Sequence, residues 1–271
     1  MKQHTQTVEG RNLSYYRAGE SGPIIVLVHG NSQSALTFRH QLESGLAEKY
    51  RLFAIELPGH GLSSPATDPE GTYSLPGYAQ VLAAFAKELG IEDGVFVGTS
   101  LGGHIVLEAS LELKKASGFL INATPPVGKP PAMDKAFLTS LESAFKGELT
   151  NDEVMTFASL QLRPEEKDVP ESIIEDIKKT DMMARQYIGS SIGGGVYADE
   201  LEIVKNLTAP LAILHGEEDQ LINDSYFGTI NIPTLWRSKV HFIKNASHCP
   251  QWENPEEYNR LLGEFVEEVT D

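Results

Sequence analysis

The chain has 271 residues, of which 41% are hydrophobic and 22% charged, a composition typical of a globular protein with a sizeable core. Its formal net charge of −16 excludes the basic surface that nucleic acids and anionic lipids attract, so we expect neither a nucleic acid nor a membrane as partner. No run of 18 apolar residues occurs, no apolar leader precedes residue 10, and Cys249 is the only cysteine, which together predict a cytoplasmic protein.

Strands and helices alternate in the first half of the chain. Predicted strands cover residues 5–8, 13–16, 24–28, 52–56, 95–97 and 118–122. Predicted helices cover residues 38–49, 74–89 and 101–113. The first two strands surround a Glu9-Gly10 turn and are expected to be antiparallel. The later alternation predicts an α/β protein with a mostly parallel sheet and right-handed crossovers.

The alternation stops between residues 124 and 206, where helical patterns occur without a convincing buried strand. The predicted helices of this segment are 132–145, 151–162 and 171–188. Strands at 211–215 and 240–243 and a helix at 255–269 then complete the chain. We therefore predict a core formed by residues 1–123 and 207–271 and a helical cap insertion formed by residues 124–206. The cap is expected over the carboxyl edge of the sheet, where open α/β sheets place their sites.

The segment Gly98-Thr99-Ser100-Leu101-Gly102 has the G-x-S-x-G form between a predicted strand and a predicted helix. This context is typical of a nucleophile elbow, in which the two glycines allow a very tight turn. Ser100 is then the nucleophile, and the Leu101 N–H points at the group that Ser100 attacks. The alternative is that Ser100 is an ordinary helix N-cap.

A serine nucleophile needs an imidazole base and an acid that orients the base. His248 follows the last predicted strand, and Asp219 follows the strand at 211–215, which gives the chain order Ser, Asp, His. Glu218 is the alternative acid. Three other histidines we interpret as structural: His29, His60 and His104. Cys249 we interpret as a packing residue and not as a nucleophile.

A second oxyanion donor is expected at the end of the strand at 24–28. There His29-Gly30-Asn31-Ser32 forms a turn, and we assign the Asn31 backbone N–H, with the Asn31 side chain as a further polar contact. An Asx turn is the alternative for Asn31. No histidine–aspartate cluster of the metal-dependent kind is present in the sequence, so we expect neither a metal nor another cofactor.

Together these motifs resemble the α/β-hydrolase fold family over essentially the whole chain. They stand in family order as His29-Gly30, Pro58-Gly59-His60-Gly61, residues 98–103, residues 216–219 and His248. The resemblance implies an eight-stranded, mostly parallel sheet flanked by helices, with an inserted helical cap.

A closer resemblance is to the metal-free, α/β-hydrolase type of N-acyl-homoserine lactonase. It rests on the segments HGNSQSALTFRHQLE, LPGHGLSSPATDPEGTYSLPGYA, SLGGHI and ATPPV. It implies a neutral lactone substrate and an apolar channel for an acyl tail. The chain departs from that group at Thr99, where a tryptophan is expected, at Phe157, near an expected tyrosine, and at Asp219, where a glutamate is expected.

The sequence thus predicts a serine hydrolase that cleaves a carboxylic ester or lactone through an acyl-enzyme, and the resemblance favours a quorum-quenching lactonase. A short-chain carboxylesterase, a C–C bond hydrolase and a non-catalytic receptor on the same fold remain open. Expected substrate contacts are Asn31, Thr99, Met133, Phe137 and Phe157. In the cap, further apolar residues recur at helical spacing, either to contact an acyl tail or to pack cap against core: Leu138, Leu141, Phe145 and Met155.

Overall fold

One eight-stranded sheet organises the molecule. The computed structural model describes residues 1–140, 142–166 and 168–270. The strands are β1 (Lys2–Val8), β2 (Arg11–Ala18), β3 (Ile24–Val28), β4 (Arg51–Ile55), β5 (Val95–Thr99), β6 (Gly118–Asn122), β7 (Leu211–Gly216) and β8 (His241–Ile243). Their order is β1-β2-β4-β3-β5-β6-β7-β8, with β2 antiparallel to both β1 and β4 and all other pairs parallel. The predicted α/β fold class and mostly parallel sheet are confirmed.

Helices lie on both faces of this sheet and between β6 and β7. They are α1 (Arg39–Leu42), α2 (Leu46–Lys49), α3 (Pro69–Thr72), α4 (Leu75–Leu89), α5 (Leu101–Ala109), α6 (Met133–Ala136), α7 (Glu142–Phe145), α8 (Asn151–Leu160), α9 (Glu171–Lys179), α10 (Met182–Gly193), α11 (Glu200–Asn206), α12 (Pro250–Glu253) and α13 (Pro255–Thr270). Short 3₁₀ turns occur at Ala35–Phe38, Asp224–Thr229 and Trp236–Ser238. None of the helices in the described ranges has the length and apolar content to cross a bilayer.

The central strands are buried on both faces, and their alternating side chains divide between two apolar layers. In β3, Val26 and Val28 belong to the layer that contains α4 and α5, whereas Ile25 and Leu27 belong to the layer that contains α13. This division follows from the two-residue period of a strand. It explains why the continuous apolar run of β3 is stable only with helices on both sides.

Several predicted helices are shorter than their apolar patterns suggested. The helix predicted at 38–49 is split into α1 and α2 around residues 43–45, and the one predicted at 171–188 is split at Thr180 and Asp181, where the Asp181 carboxylate caps α10. The helix predicted at 132–145 ends at Ala136, because Phe137 forms a β-bridge with Ile222. Predicted residue Leu141 lies outside the described residues.

The segment predicted as a cap contains α6 to α11, and its described residues include no β-strand. An apolar cluster joins α7, α8 and α9, formed by Ala144, Val154, Phe157, Ala158 and Ile177. Within it, α8 begins with a capping box in which Thr150 and Glu153 satisfy each other's backbone N–H groups. This small apolar cluster is a core formed by the helices between β6 and β7. The sequence pattern did not predict α11, the last helix of this segment.

Candidate active site

Ser100 stands at the apex of a tight turn between β5 and α5. Its backbone has φ 51° and ψ −120°, a conformation that L-residues rarely adopt. A Cβ at Gly98 would overlap the Gly102 carbonyl, and a Cβ at Gly102 would overlap the Val28 carbonyl, so only glycine fits at either position. Ser100 occupies the N-cap position of α5, but its side chain accepts from no helix N–H, so the hydroxyl does not act as the cap. The turn therefore presents the hydroxyl to the cavity at the carboxyl edge of the sheet.

His248 and Asp219 form a buried hydrogen-bonded pair beside the same cavity. His248 Nδ1 donates to Asp219 Oδ2 at 2.9 Å. The other carboxylate oxygen, Oδ1, accepts from the N–H groups of Leu221 at 2.7 Å and Ile222 at 3.1 Å. These bonds fix the carboxylate, which in turn fixes the imidazole ring. The tautomer with the proton on Nδ1 leaves Nε2 of His248 as an acceptor.

The electrostatics of Asp219 favour its ionised form. Burial by itself raises the pKa of the Asp219 carboxyl, but the attraction of His248 and His215 and the N–H bond from Leu221 together lower it below the usual range. The His215 ring lies 3.8 Å from Asp219 Oδ2. Glu218, the alternative acid, is partly exposed, and no contact joins its carboxylate to His248 in the described part of the chain. Asp219 is the acid that meets His248.

Two backbone N–H groups line the cavity without a hydrogen-bond partner among the described residues: those of Asn31 and Leu101. Leu101 is the first residue of α5, so its N–H has no intrahelical acceptor. The Asn31 turn is held in place because the Gly30 N–H donates to Gln33 Oε1 at 2.9 Å. Unpaired N–H groups on two fixed turns are the arrangement that stabilises a developing oxyanion.

His29 and His60 support the loops next to these donors. His29 Nδ1 donates to Gly30 O at 2.8 Å and Nε2 accepts from Leu57 N–H at 3.0 Å. His60 Nδ1 donates to Pro58 O at 3.1 Å and Nε2 accepts from Ser32 N–H at 3.3 Å. Burial lowers the pKa of His29 to about 3 and that of His60 to about 4, so both rings are neutral and use both nitrogens. The structural interpretation of these two histidines agrees with their contacts.

Two predicted substrate contacts differ in the structure. Thr99 is fully buried, does not line the cavity, and its Oγ1 accepts from Asn122 Nδ2 at 2.8 Å. The expectation that Thr99 shapes the pocket was therefore wrong. The Asn31 side chain is also engaged, because Nδ2 donates to Ala144 O at 2.6 Å and Oδ1 accepts from Ser32. The Asn31 side chain therefore binds α7 through Ala144, while the Asn31 backbone N–H stays available to an oxyanion.

The cavity encloses about 800 Å³ including its mouth, and its lining is mainly apolar. The predicted residues Met133, Phe137 and Phe157 line it, and so does Phe145. Leu138 and Met155 are exposed and do not line it. Sequence reasoning did not assign three polar lining residues: Gln33, Gln161 and Tyr197. Only Gln33 carried a signal, as a polar residue in the loop that follows His29-Gly30.

No Lys, Arg, Asp or Glu lines this cavity among residues 1–140, 142–166 and 168–270. In the same ranges, no group of three or more His, Cys, Asp or Glu side chains could hold a metal ion. Cys249 is buried, accepts from Gln33 Nε2 at 3.4 Å, and burial raises the pKa of its thiol far above the usual value. A thiol in this environment is a packing residue, as expected.

A family model described as the alpha/beta hydrolase family matches residues 25–261. The chain belongs to this family. Among solved structures, this α/β hydrolase is similar to the N-acyl homoserine lactonase AidH in complex with N-butanoyl homoserine. The TM-score is 0.94 and the identity 29%, over 100% of this chain and 98% of that chain. The resemblance drawn from the motifs is confirmed.

Relatives with other activities are also similar to this α/β hydrolase. The dihydrolipoyllysine-residue acetyltransferase component of the acetoin cleaving system of Cupriavidus necator is 27% identical over 94% of this chain, which spans only 66% of that protein. The 2-hydroxy-6-oxononadienedioate/2-hydroxy-6-oxononatrienedioate hydrolase of Cupriavidus pinatubonensis is 22% identical over 92% of this chain and 88% of that protein. The proteins that this chain resembles are thus named for lactone hydrolysis, for acetyl transfer and for hydrolysis of a dioate, so the site must decide among activities.

Proposed function

We propose that this protein is a serine hydrolase that opens the ring of N-acyl-homoserine lactones. The observation that carries the proposal is its 29% identity and TM-score of 0.94 to a named N-acyl homoserine lactonase over the whole chain. The cavity supports it, because its described lining is apolar around Ser100 and carries no formal charge from Lys, Arg, Asp or Glu. Such a cavity suits a neutral lactone with an acyl tail, for which each buried methylene contributes about 0.8 kcal/mol.

In the acylation step, Ser100 Oγ attacks the lactone carbonyl carbon while His248 Nε2 accepts the hydroxyl proton. Asp219 holds the ring and stabilises the imidazolium that forms. The carbonyl oxygen becomes an oxyanion that accepts from the N–H groups of Leu101 and Asn31. The ring C–O bond then breaks, and the departing ring oxygen takes the proton from His248.

Deacylation reverses these roles with water as the nucleophile. His248 accepts a proton from water, the water oxygen bonds to the carbonyl carbon, and Ser100 Oγ leaves with the proton. Because the leaving alcohol of a lactone stays attached to the acyl group, the acyl-enzyme carries the entire substrate. The released product is the N-acyl-homoserine, and its formation removes a lactone signal, which is the basis of quorum quenching.

A C–C bond hydrolase for dicarboxylates is disfavoured by the same lining. The C–C hydrolase relative is named for a dioate substrate, which carries two carboxylates. No arginine or lysine that would pair with them lines the cavity of this chain in its described residues. A short-chain carboxylesterase would use the same nucleophile, base and donors, so substrate preference distinguishes it from a lactonase.

The experiment compares kcat/KM for N-hexanoyl-homoserine lactone with kcat/KM for p-nitrophenyl hexanoate, each corrected for its uncatalysed rate. The proposal predicts a higher corrected value for the lactone, and a product that closes again to the lactone on acidification. Ser100→Ala controls for contaminating hydrolases and should be inactive on both substrates. Turnover of p-nitrophenyl butyrate without detectable ring opening at high enzyme concentration would contradict the lactonase proposal and support a short-chain carboxylesterase.

A further inference from the structure

The cavity holds a second imidazole–carboxylate pair besides His248 and Asp219. His104, one helical turn after Ser100 on α5, directs Nδ1 to the two carboxylate oxygens of Glu200 at 2.8 and 2.9 Å. Glu200 is fully buried, and its Oε2 also accepts from the Val127 N–H at 2.8 Å. The imidazole lines the cavity with 13% of its side chain exposed.

The contacts of His104 differ from those of the structural histidines. His29 and His60 are buried and use both ring nitrogens within the protein. His104 uses only Nδ1, and its Nε2 has no partner within the part of the chain that the structure describes. This is the pattern of His248, in which a carboxylate holds Nδ1 and leaves Nε2 toward the cavity. A purely structural role explains the Glu200 bond but not the free nitrogen in the cavity.

We propose that His104, positioned by Glu200, accepts a hydrogen bond from an N–H group of the substrate, so that the site selects lactones that carry an amide beside the ring. This inference rests on the proposed function and deepens it. In the tautomer that directs Nδ1–H to Glu200, Nε2 is a hydrogen-bond acceptor. That acceptor pairs with an N–H or O–H donor, and a plain ester or an alkyl lactone has neither.

The position of His104 fits an amide close to the reacting carbonyl. The His104 N–H donates to the Ser100 carbonyl at 3.3 Å, and both residues line the cavity, so the ring lies near the carbon that Ser100 attacks. In an α-acylamino lactone, the amide nitrogen is attached to the carbon next to that carbonyl. Leu75 and Val127, which also line the cavity, are apolar and cannot replace the acceptor.

The test uses two lactones with the same ring, N-hexanoyl-homoserine lactone and α-hexyl-γ-butyrolactone, measured at the same pH. The quantity measured is the ratio of kcat/KM for the amide lactone to kcat/KM for the alkyl lactone. His104→Ala should lower this ratio about tenfold, the loss of one buried hydrogen bond. His104→Gln should recover part of it, because its side-chain carbonyl can accept the same N–H. Glu200→Gln should lower the ratio as well, through a less fixed His104.

Glu108→Gln is the matched control for Glu200→Gln. Glu108 lies one further turn along α5, accepts from the Ala198 N–H at 2.8 Å, and does not line the cavity. The kcat/KM ratio of Glu108→Gln should therefore equal that of the wild type. Circular dichroism and p-nitrophenyl butyrate turnover check that each variant is folded. An unchanged ratio in His104→Ala, or equal losses on both lactones, overturns this inference alone. A wild-type protein that opens neither lactone overturns the proposed function and this inference with it.

Discussion

The strained backbone of Ser100 makes a prediction about stability that is opposite in sign to the usual one. Alanine normally stabilises a protein relative to glycine, because glycine loses more conformational freedom on folding. At Ser100, with φ 51° and ψ −120°, we expect Ser100→Gly to be more stable than Ser100→Ala. Both variants lack the hydroxyl, so the comparison isolates the backbone.

The magnitude follows from two opposing contributions. A non-glycine residue in a sparsely populated backbone region costs about 1–3 kcal/mol, and glycine relieves that cost. The greater conformational freedom of glycine in the unfolded chain lowers the unfolding free energy by about 0.5–1 kcal/mol. At the middle of each range, Ser100→Gly should therefore exceed Ser100→Ala in unfolding free energy by about 1 kcal/mol. The same pair of substitutions at Ser159, an exposed position within α8, should differ by about 1 kcal/mol in the opposite direction.

The unfolding free energies of the four variants are measured by urea unfolding, followed by circular dichroism. The slope m must be the same in all four, so that differences in the midpoint report differences in stability. If the Ser100 backbone is strained, the glycine–alanine difference in stability has opposite signs at Ser100 and Ser159. If Ser100→Ala is the more stable variant at Ser100 as well, the turn is not strained and the elbow geometry is wrong.

Three further changes test the acid, the cavity and a buried charge. Asp219→Asn should lower kcat by about 10⁴, because the amide does not hold His248 in the required tautomer, whereas Glu218→Gln should stay near the wild type. Phe157→Ala should lower kcat/KM more for long than for short acyl lactones, by about 0.8 kcal/mol for each methylene that loses its contact. Burial, together with the nearby Glu56, raises the pKa of Asp176 to about 6, so its ionised form destabilises the native state above that pH. Asp176→Asn should therefore add about 2 kcal/mol of stability at pH 7.5, a gain that shrinks as pH falls from about 6 toward 4.

Each of these three predictions can be contradicted by a specific result. A larger loss in Glu218→Gln than in Asp219→Asn, measured as kcat, would move the acid to Glu218. Equal effects of Phe157→Ala on all acyl lengths would show that Phe157 only packs within its helical cluster. A stability gain in Asp176→Asn that is the same at pH 7.5 and pH 5 in urea unfolding would mean that the Asp176 carboxyl is not the source of the pH dependence.

The parts of the site that the sequence predicted are those encoded by local rules. Tight turns require glycine at fixed spacing, so Gly98 and Gly102 predicted the turn that has Ser100 at its apex. Buried parallel strands are continuous apolar runs, so the positions after them located Asp219 and Asn31 as well. These signals need only a few neighbouring residues, and signals of the same kind predicted where the strands lie along the chain.

The parts that the sequence did not predict depend on contacts between distant segments. Whether Thr99 faces the cavity depends on which residues pack against the end of β5. In the structure, Asn122 on β6 donates to the Thr99 hydroxyl, which therefore does not face the cavity. His104 and Glu200 are 96 residues apart, so neither residue alone indicates the pair. The end of the helix predicted at 132–145 likewise coincides with a tertiary contact, the bridge between Phe137 and Ile222, which the helical pattern does not reveal.

The most direct test of the central claim is the mass of the protein quenched with acid during turnover of N-hexanoyl-homoserine lactone. A lactone keeps its leaving group, so the account predicts an adduct equal to the whole lactone mass, located by peptide mapping on Ser100 and absent from Ser100→Ala. Acid quenching within the first turnover gives a second chance to capture the adduct if it is short-lived at steady state. Ring opening that persists undiminished in Ser100→Ala, with no adduct in the wild type at either time, would contradict the serine mechanism.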